Sequence, residues 1–170
     1  LRRLAADPDE PDETAARFIG WAAKLHEIGI SVSYSGYHKH SAYIISHADM
    51  PGFSRDEQAR LALLVQSHRR SLNKIAEDVE ALGVDWNWVF ALRIAALLLR
   101  RRADMQLPLL QARRQGRKFR LTLPPGWLSR NPLTATALHG EIREWEKIGF
   151  ELRIPELDEI DSGTELAAAG

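Results

Sequence analysis

Between Asp85 and Leu99 the chain is apolar in nearly every direction. Trp86, Val89, Leu92, Ile94, Ala95, Leu98 and Leu99 give the helix predicted there almost no polar face, and Asp85 is placed to cap its start. A helix that is hydrophobic all round has to be enclosed by other elements. The rest of the sequence must therefore wrap it, which calls for a helical bundle or two parts packed around one helix. The longest apolar run, Ile94 to Leu99, is far too short to span a bilayer, and no secretory pattern opens the sequence, so a cytoplasmic setting is expected.

The wrapping helices are legible from spacing. A first helix is expected from about Glu13 to Ile28, with Phe18, Trp21, Ala22 and Leu25 on its inner face and Gly29 as a left-handed stop. A second spans roughly Lys39 to His47. A third starts at Ser54, where Ser54-Arg55-Asp56-Glu57 spells a reciprocal capping box, and it carries Leu61, Leu64, Val65 and His68 to an exit at Arg69 and Arg70. Asn73 to Leu82 reads as a weaker helix broken at Gly83. The period then changes: Leu107–Ala112 and Lys118–Leu123 predict a hairpin around a Gln115-Gly116 turn. A helix from Pro132 to Ile148 and a strand from Phe150 to Ile154 follow. The fold class is mainly α, with residues 1–104 as a helical domain, 105–156 as a small α+β domain of hairpin, helix and strand, and 157–170 as a disordered tail. The opening Leu1 suggests a fragment of a longer protein.

The absence of cysteine excludes disulfides, thiolate nucleophiles and cysteine zinc sites. No Gly-x-Ser-x-Gly elbow or Walker loop is present, and the carboxylate pairs sit near the chain ends, where acid–base geometry is hard to hold. The zero net charge conceals segregation. Five acids crowd residues 7–13, whereas residues 100–120 carry eight bases (Arg100, Arg101, Arg102, Arg113, Arg114, Arg117, Lys118 and Arg120) against Asp104 alone. A solvated hairpin and a polyanion-binding surface both fit that excess.

Four of the six histidines fall within residues 21–53. His38, Lys39 and His40 open a helix, where exposed N–H groups and cationic side chains suit phosphate. His38 and His40 are two apart and cannot face one point on a regular helix. His68 continues an apolar face, as a hydrogen-bonded core histidine would, and with Arg69 and Arg70 it forms a second basic group. His47 and His139 read as surface or packing residues.

The segments WAAKLHEIG at 21–29, HKHSAYI at 38–44, ADMPGFSRDEQ at 48–58, VQSHRR at 65–70 and LTLPPGWLSRNPL at 121–133 recur in order. In this they resemble the C-terminal region of the exopolyphosphatase and guanosine pentaphosphate phosphohydrolase family, whose helical part has an HD-like fold. The resemblance implies an N-terminal actin-like catalytic region with a magnesium requirement, no catalytic residue in this chain, a homodimer, and inorganic polyphosphate as partner, with no nucleic acid. The expected polyphosphate contacts are His38, Lys39, His40, His68, Arg69, Arg70, Arg117 and Lys118. Metal-dependent HD enzymes use a His-Asp pair and a later aspartate. Here His26 and Glu27 replace the pair, and Ala96, within Leu92–Leu97, stands at the aspartate position, so a degenerate site without metal is expected. The alternatives are the pentaphosphate branch, an active HD phosphohydrolase and a purely structural dimerisation domain.

Overall fold

The computed structural model describes residues 13–99, 109–158 and 160. The chain divides into two compact units, residues 1–96 and 97–170. The described residues are mainly helical, with one small three-stranded sheet.

In the first unit, α1 (Glu13–Leu25) leads through a short 3-10 turn (Ile28–Ser31) to α2 (Tyr37–His47) and α3 (Arg55–Ser67). A second 3-10 turn (Leu72–Lys74), α4 (Ala76–Ala81) and α5 (Trp86–Leu98) complete the sequence of helices. The core is the apolar stripe of each: Ala15, Phe18, Ile19 and Ala22 from α1, Ile45 from α2, Leu61, Leu64 and Val65 from α3, then Leu72, Ile75 and Val79. α5 is buried around its whole circumference, Val89, Ala91 and Ile94 being inaccessible. Its Trp88 stacks on Phe18 of α1 at 5.1 Å. The capping box forms, with Glu57 N–H donating to Ser54 Oγ and Ser54 N–H donating to Glu57 Oε2. Asp85 Oδ1 accepts from Asn87 N–H, securing the first turn of α5.

Three local expectations change. α1 stops at Leu25, three residues early, and Gly29 does not act as a left-handed cap. It lies inside the 3-10 turn where the chain presses on α2, and a Cβ there would meet Tyr37 O at 2.2 Å and Ser41 N at 2.4 Å. Close approach, rather than backbone freedom, requires the glycine. The stretch from Asn73 to Leu82 is not one helix, because Ile75 leaves helical geometry (φ −128°, ψ −2°) to bury its side chain completely.

The second unit pairs β1 (Gln111–Gln115) antiparallel with β2 (Lys118–Thr122) and β2 parallel with β3 (Glu151–Arg153), in the order β1-β2-β3. A parallel pair needs a crossover, which α6 (Pro132–Glu146) supplies, with Pro132 in its first turn. The turn is Gly116-Arg117 rather than Gln115-Gly116: Gln115 pairs with Lys118, and Gly116 takes φ +59°. The first strand also sits later than expected. Leu109 is exposed before it, and Leu107 lies outside the described residues. Phe119, Trp145 and Phe150 form an aromatic core with ring centroids 4.9–5.8 Å apart, and Trp145 Nε1–H donates to the buried Glu141 at 2.8 Å. Leu157, at the start of the expected tail, is buried, and of the remainder only Asp158 and Ile160 are described.

Candidate functional site

The C-terminal end of α3 and the N-terminal turn of α2 bring part of the expected site together. His68 follows the last turn of α3 and is 7% exposed. Its Nδ1–H donates to the Val65 carbonyl at 2.6 Å, which makes Nε2 the acceptor of the neutral ring. Tyr37 Oη then donates to that Nε2 at 3.2 Å. Arg69 lies over the Tyr37 ring, with Cζ 5.3 Å from its centroid. The neighbouring Tyr37 phenol is the main reason Arg69 is held further toward its charged form. Tyr37, His68 and the Val65 carbonyl thus form one directed chain of donors and acceptors, with Arg69 packed over the Tyr37 ring.

His68 is also the meeting point of the imidazoles. His26 packs edge-on against it at 4.9 Å and His38 at 6.3 Å. Burial lowers the His68 pKa to about 4; the Val65 hydrogen bond, the next largest influence, opposes it, and nearby His26, His38 and Arg93 lower it further. His38 is lowered too, by burial first and then by Lys39, Arg69, Arg70 and His40. His68 and His38 are therefore both biased toward the neutral form, and the positive charge comes from Arg69, Arg70 and Lys39. Among the described residues, four buried side-chain atoms have no hydrogen-bond partner, and two of them, His38 Nδ1 and Arg70 Nε, belong here. A buried unpaired polar atom costs about 1–3 kcal/mol, a debt that a bound oxyanion would relieve at Arg70.

The remaining expected contacts divide. Lys39 is exposed on α2, and His40 lies beside Gly29, turned away from His68 as spacing of two requires. Arg117 and Lys118 belong to the hairpin of the second unit. Arg117 sits over Phe150 with Cζ at 4.9 Å, and Lys118 forms an ion pair with Glu151 at 2.8 Å. Arg100, Arg101 and Arg102 lie outside the described residues. Arg93, which sequence reading passed over as part of an apolar helix, is 6% exposed and donates Nη1 to the carbonyls of Ser67 and Arg70 at 2.6 and 2.7 Å. It satisfies carbonyls at the end of α3. Tyr37 was likewise unflagged, since nothing local marks its pairing with a residue 31 positions on.

A metal does not fit this donor set. His26 Nδ1 bonds to the Ala23 carbonyl, and His68 uses both ring nitrogens. Among the described residues no group of three or more His, Asp or Glu converges at metal-binding spacing. No described helix is long and apolar enough to cross a membrane.

Comparison with known proteins bears on this geometry. Residues 3–142 match the family model of the Ppx/GppA phosphatase, domain III. The chain is 37% identical over 141 residues to the guanosine-5'-triphosphate,3'-diphosphate pyrophosphatase of Vibrio cholerae, covering 82% of this chain and 28% of that protein. It is 38% identical over 136 residues to the protein of the same name from Pseudoalteromonas translucida, covering 76% and 27%. The chain therefore spans less than a third of the length of these relatives. By the extent of these matches, the chain belongs to the Ppx/GppA phosphatase family and corresponds to its C-terminal region.

Proposed function

We propose that this chain is the non-catalytic C-terminal part of a phosphoanhydride hydrolase, and that the Arg69–Tyr37–His38 end of the first unit holds phosphate groups of its substrate. The observation that carries the reading is the pairing of clustered cations with two buried, unpartnered polar atoms, His38 Nδ1 and Arg70 Nε. Chemistry is assigned to a separate N-terminal catalytic region, together with the magnesium it needs. The names of the relatives favour guanosine pentaphosphate as the substrate. Inorganic polyphosphate is the second reading, favoured by the eight bases against one acid in residues 100–120. Self-association into a homodimer belongs to the same proposal, as does a cytoplasmic location.

Calorimetric titration of the chain with guanosine pentaphosphate and with long polyphosphate, each at two salt concentrations, tests the reading. Binding that weakens with salt and is lost in Arg69→Gln is expected. Binding of neither ligand would leave an architectural domain. Sedimentation equilibrium tests the dimer, which a monomer at high micromolar concentration would rule out.

A further inference from the structure

The two edges of the sheet in the second unit are defended differently. β3 is three residues long and is soon followed by Pro155, so it offers little ladder to another strand. β1 offers five residues, Gln111–Gln115, with no proline, and its register with β2 runs one-to-one from Gln111↔Thr122 to Gln115↔Lys118 with no bulge. Among the described residues β1 has a partner strand on one side only. Such an edge is a template for a further strand. What guards it is charge. Arg113 lies on the outer face, where the register sets it opposite Arg120 and Arg120 opposite Arg153, all three exposed in one row. Like charges directly opposite destabilise a sheet. Arg114 lies on the other face, with Cζ 5.4 Å from the Phe119 ring centroid and 5.6 Å from that of Phe150, and its Nε–H donates to the Gly116 carbonyl at 2.8 Å. The middle of the edge is therefore basic on both faces.

We propose that the outer edge of β1 docks an acidic, extended segment of a partner protein, which joins the sheet as a fourth strand with carboxylates opposite Arg113 and Arg114. In strand addition the main-chain bonds give affinity and the alternating side chains give selection. Consecutive residues of a strand project to opposite faces, so two adjacent acids meet Arg113 on one face and Arg114 on the other. A second copy of the chain is disfavoured, because β1 laid antiparallel on another β1 in full register puts Arg113 opposite Arg113. The inference is independent of the phosphate site proposed for the first unit, since its ligand needs an extended peptide backbone as well as charge.

The test is fluorescence anisotropy of the whole chain with a labelled peptide, Thr-Val-Glu-Glu-Val-Thr, and two versions N-methylated at odd or at even positions. Only one set of amides faces β1, so one methylated peptide should lose at least about 10-fold in affinity while the other binds like the parent. Arg113→Glu changes an exposed side chain, so circular dichroism should match the parent chain; affinity for the Glu-Glu peptide should fall roughly 3- to 10-fold, and a Lys-Lys peptide should gain. Equal binding of both methylated peptides would reduce the contact to charge alone and overturn strand addition. No binding of the parent peptide, or binding unchanged in Arg113→Glu, would overturn the site. Protection of the β1 amides from exchange that rises with protein concentration, with no peptide present, would assign the edge to a second copy and overturn the choice of partner.

Discussion

His68 sits where burial, a backbone carbonyl and two other imidazoles converge, and its depressed pKa has a thermodynamic consequence. The folded state holds it neutral down to about pH 4, whereas an unfolded histidine titrates near 6.5. The unfolded chain therefore binds the extra proton first. Its contribution to stability is complete above about pH 6.5, declines as pH falls, and is lost below about 4, a change on the order of 3 kcal/mol. His38 shifts in the same direction and adds to the slope. Urea unfolding at several pH values should show this fall flattened in His68→Gln, and an unchanged slope would remove His68 from the account. An anion seated at the site works the other way, favouring the imidazolium. NMR titration of His38 should move its pKa upward when pentaphosphate or polyphosphate is added, and no movement would place the ligand elsewhere. Gly29→Ala tests packing alone: with backbone atoms only 2.2–2.4 Å from the added methyl, a loss of about 1–3 kcal/mol or more is expected, measurable by the same unfolding.

At the level of elements, the site depends on how helix ends are tied. Ser41 is completely buried in α2 and faces the end of α1, accepting from Gly29 N–H and donating to the His26 carbonyl, both at 2.9 Å. Ser41→Ala strands one donor and one acceptor, and about 1–3 kcal/mol should be lost, with the His26–His68 contact loosened. An unaltered melting temperature would mean that water replaces the hydroxyl. Gln58, 5% exposed, similarly donates to the carbonyls of Ile45 and Ala48 at the other end of α2. Arg93→Met keeps the length of the side chain and removes its donors to Ser67 and Arg70. Phosphate binding at the Arg69 end should weaken along with stability, and intact affinity would show that the end of α3 holds its shape unaided. Several of these elements were legible beforehand because their signals are local. The capping box at Ser54, the proline start of α6 and the uniform apolarity of α5 are each read within a few residues. The turn at Gly116-Arg117 was not, since the apolar Leu109-Leu110 pair imitates a strand while the true β1 is polar and exposed on its outer side.

For the whole molecule, charge is the property that spans both units. Binding of a long phosphate polyanion should be strongly salt-dependent, each phosphate contact contributing about 0.7 to the slope. A salt-independent affinity would contradict contacts made through arginine and lysine. Family membership was visible in the order of short segments along the chain, and the relatives support that resemblance over most of its length. The two kinds of structure, a helical part followed by a small α+β part, could also be read from the change of hydrophobic period after residue 104. The sequence by itself thus determined most of the helices, the order of helical and mixed parts, and which faces are apolar, because these follow from residue type and spacing. The tertiary structure alone decided that Tyr37, with Arg69 over its ring, locks His68, that Arg93 closes the end of α3, and that Arg113, Arg120 and Arg153 form one row. Those relations join residues far apart in the chain, through helix packing and strand register, and spacing within a segment carries no record of them.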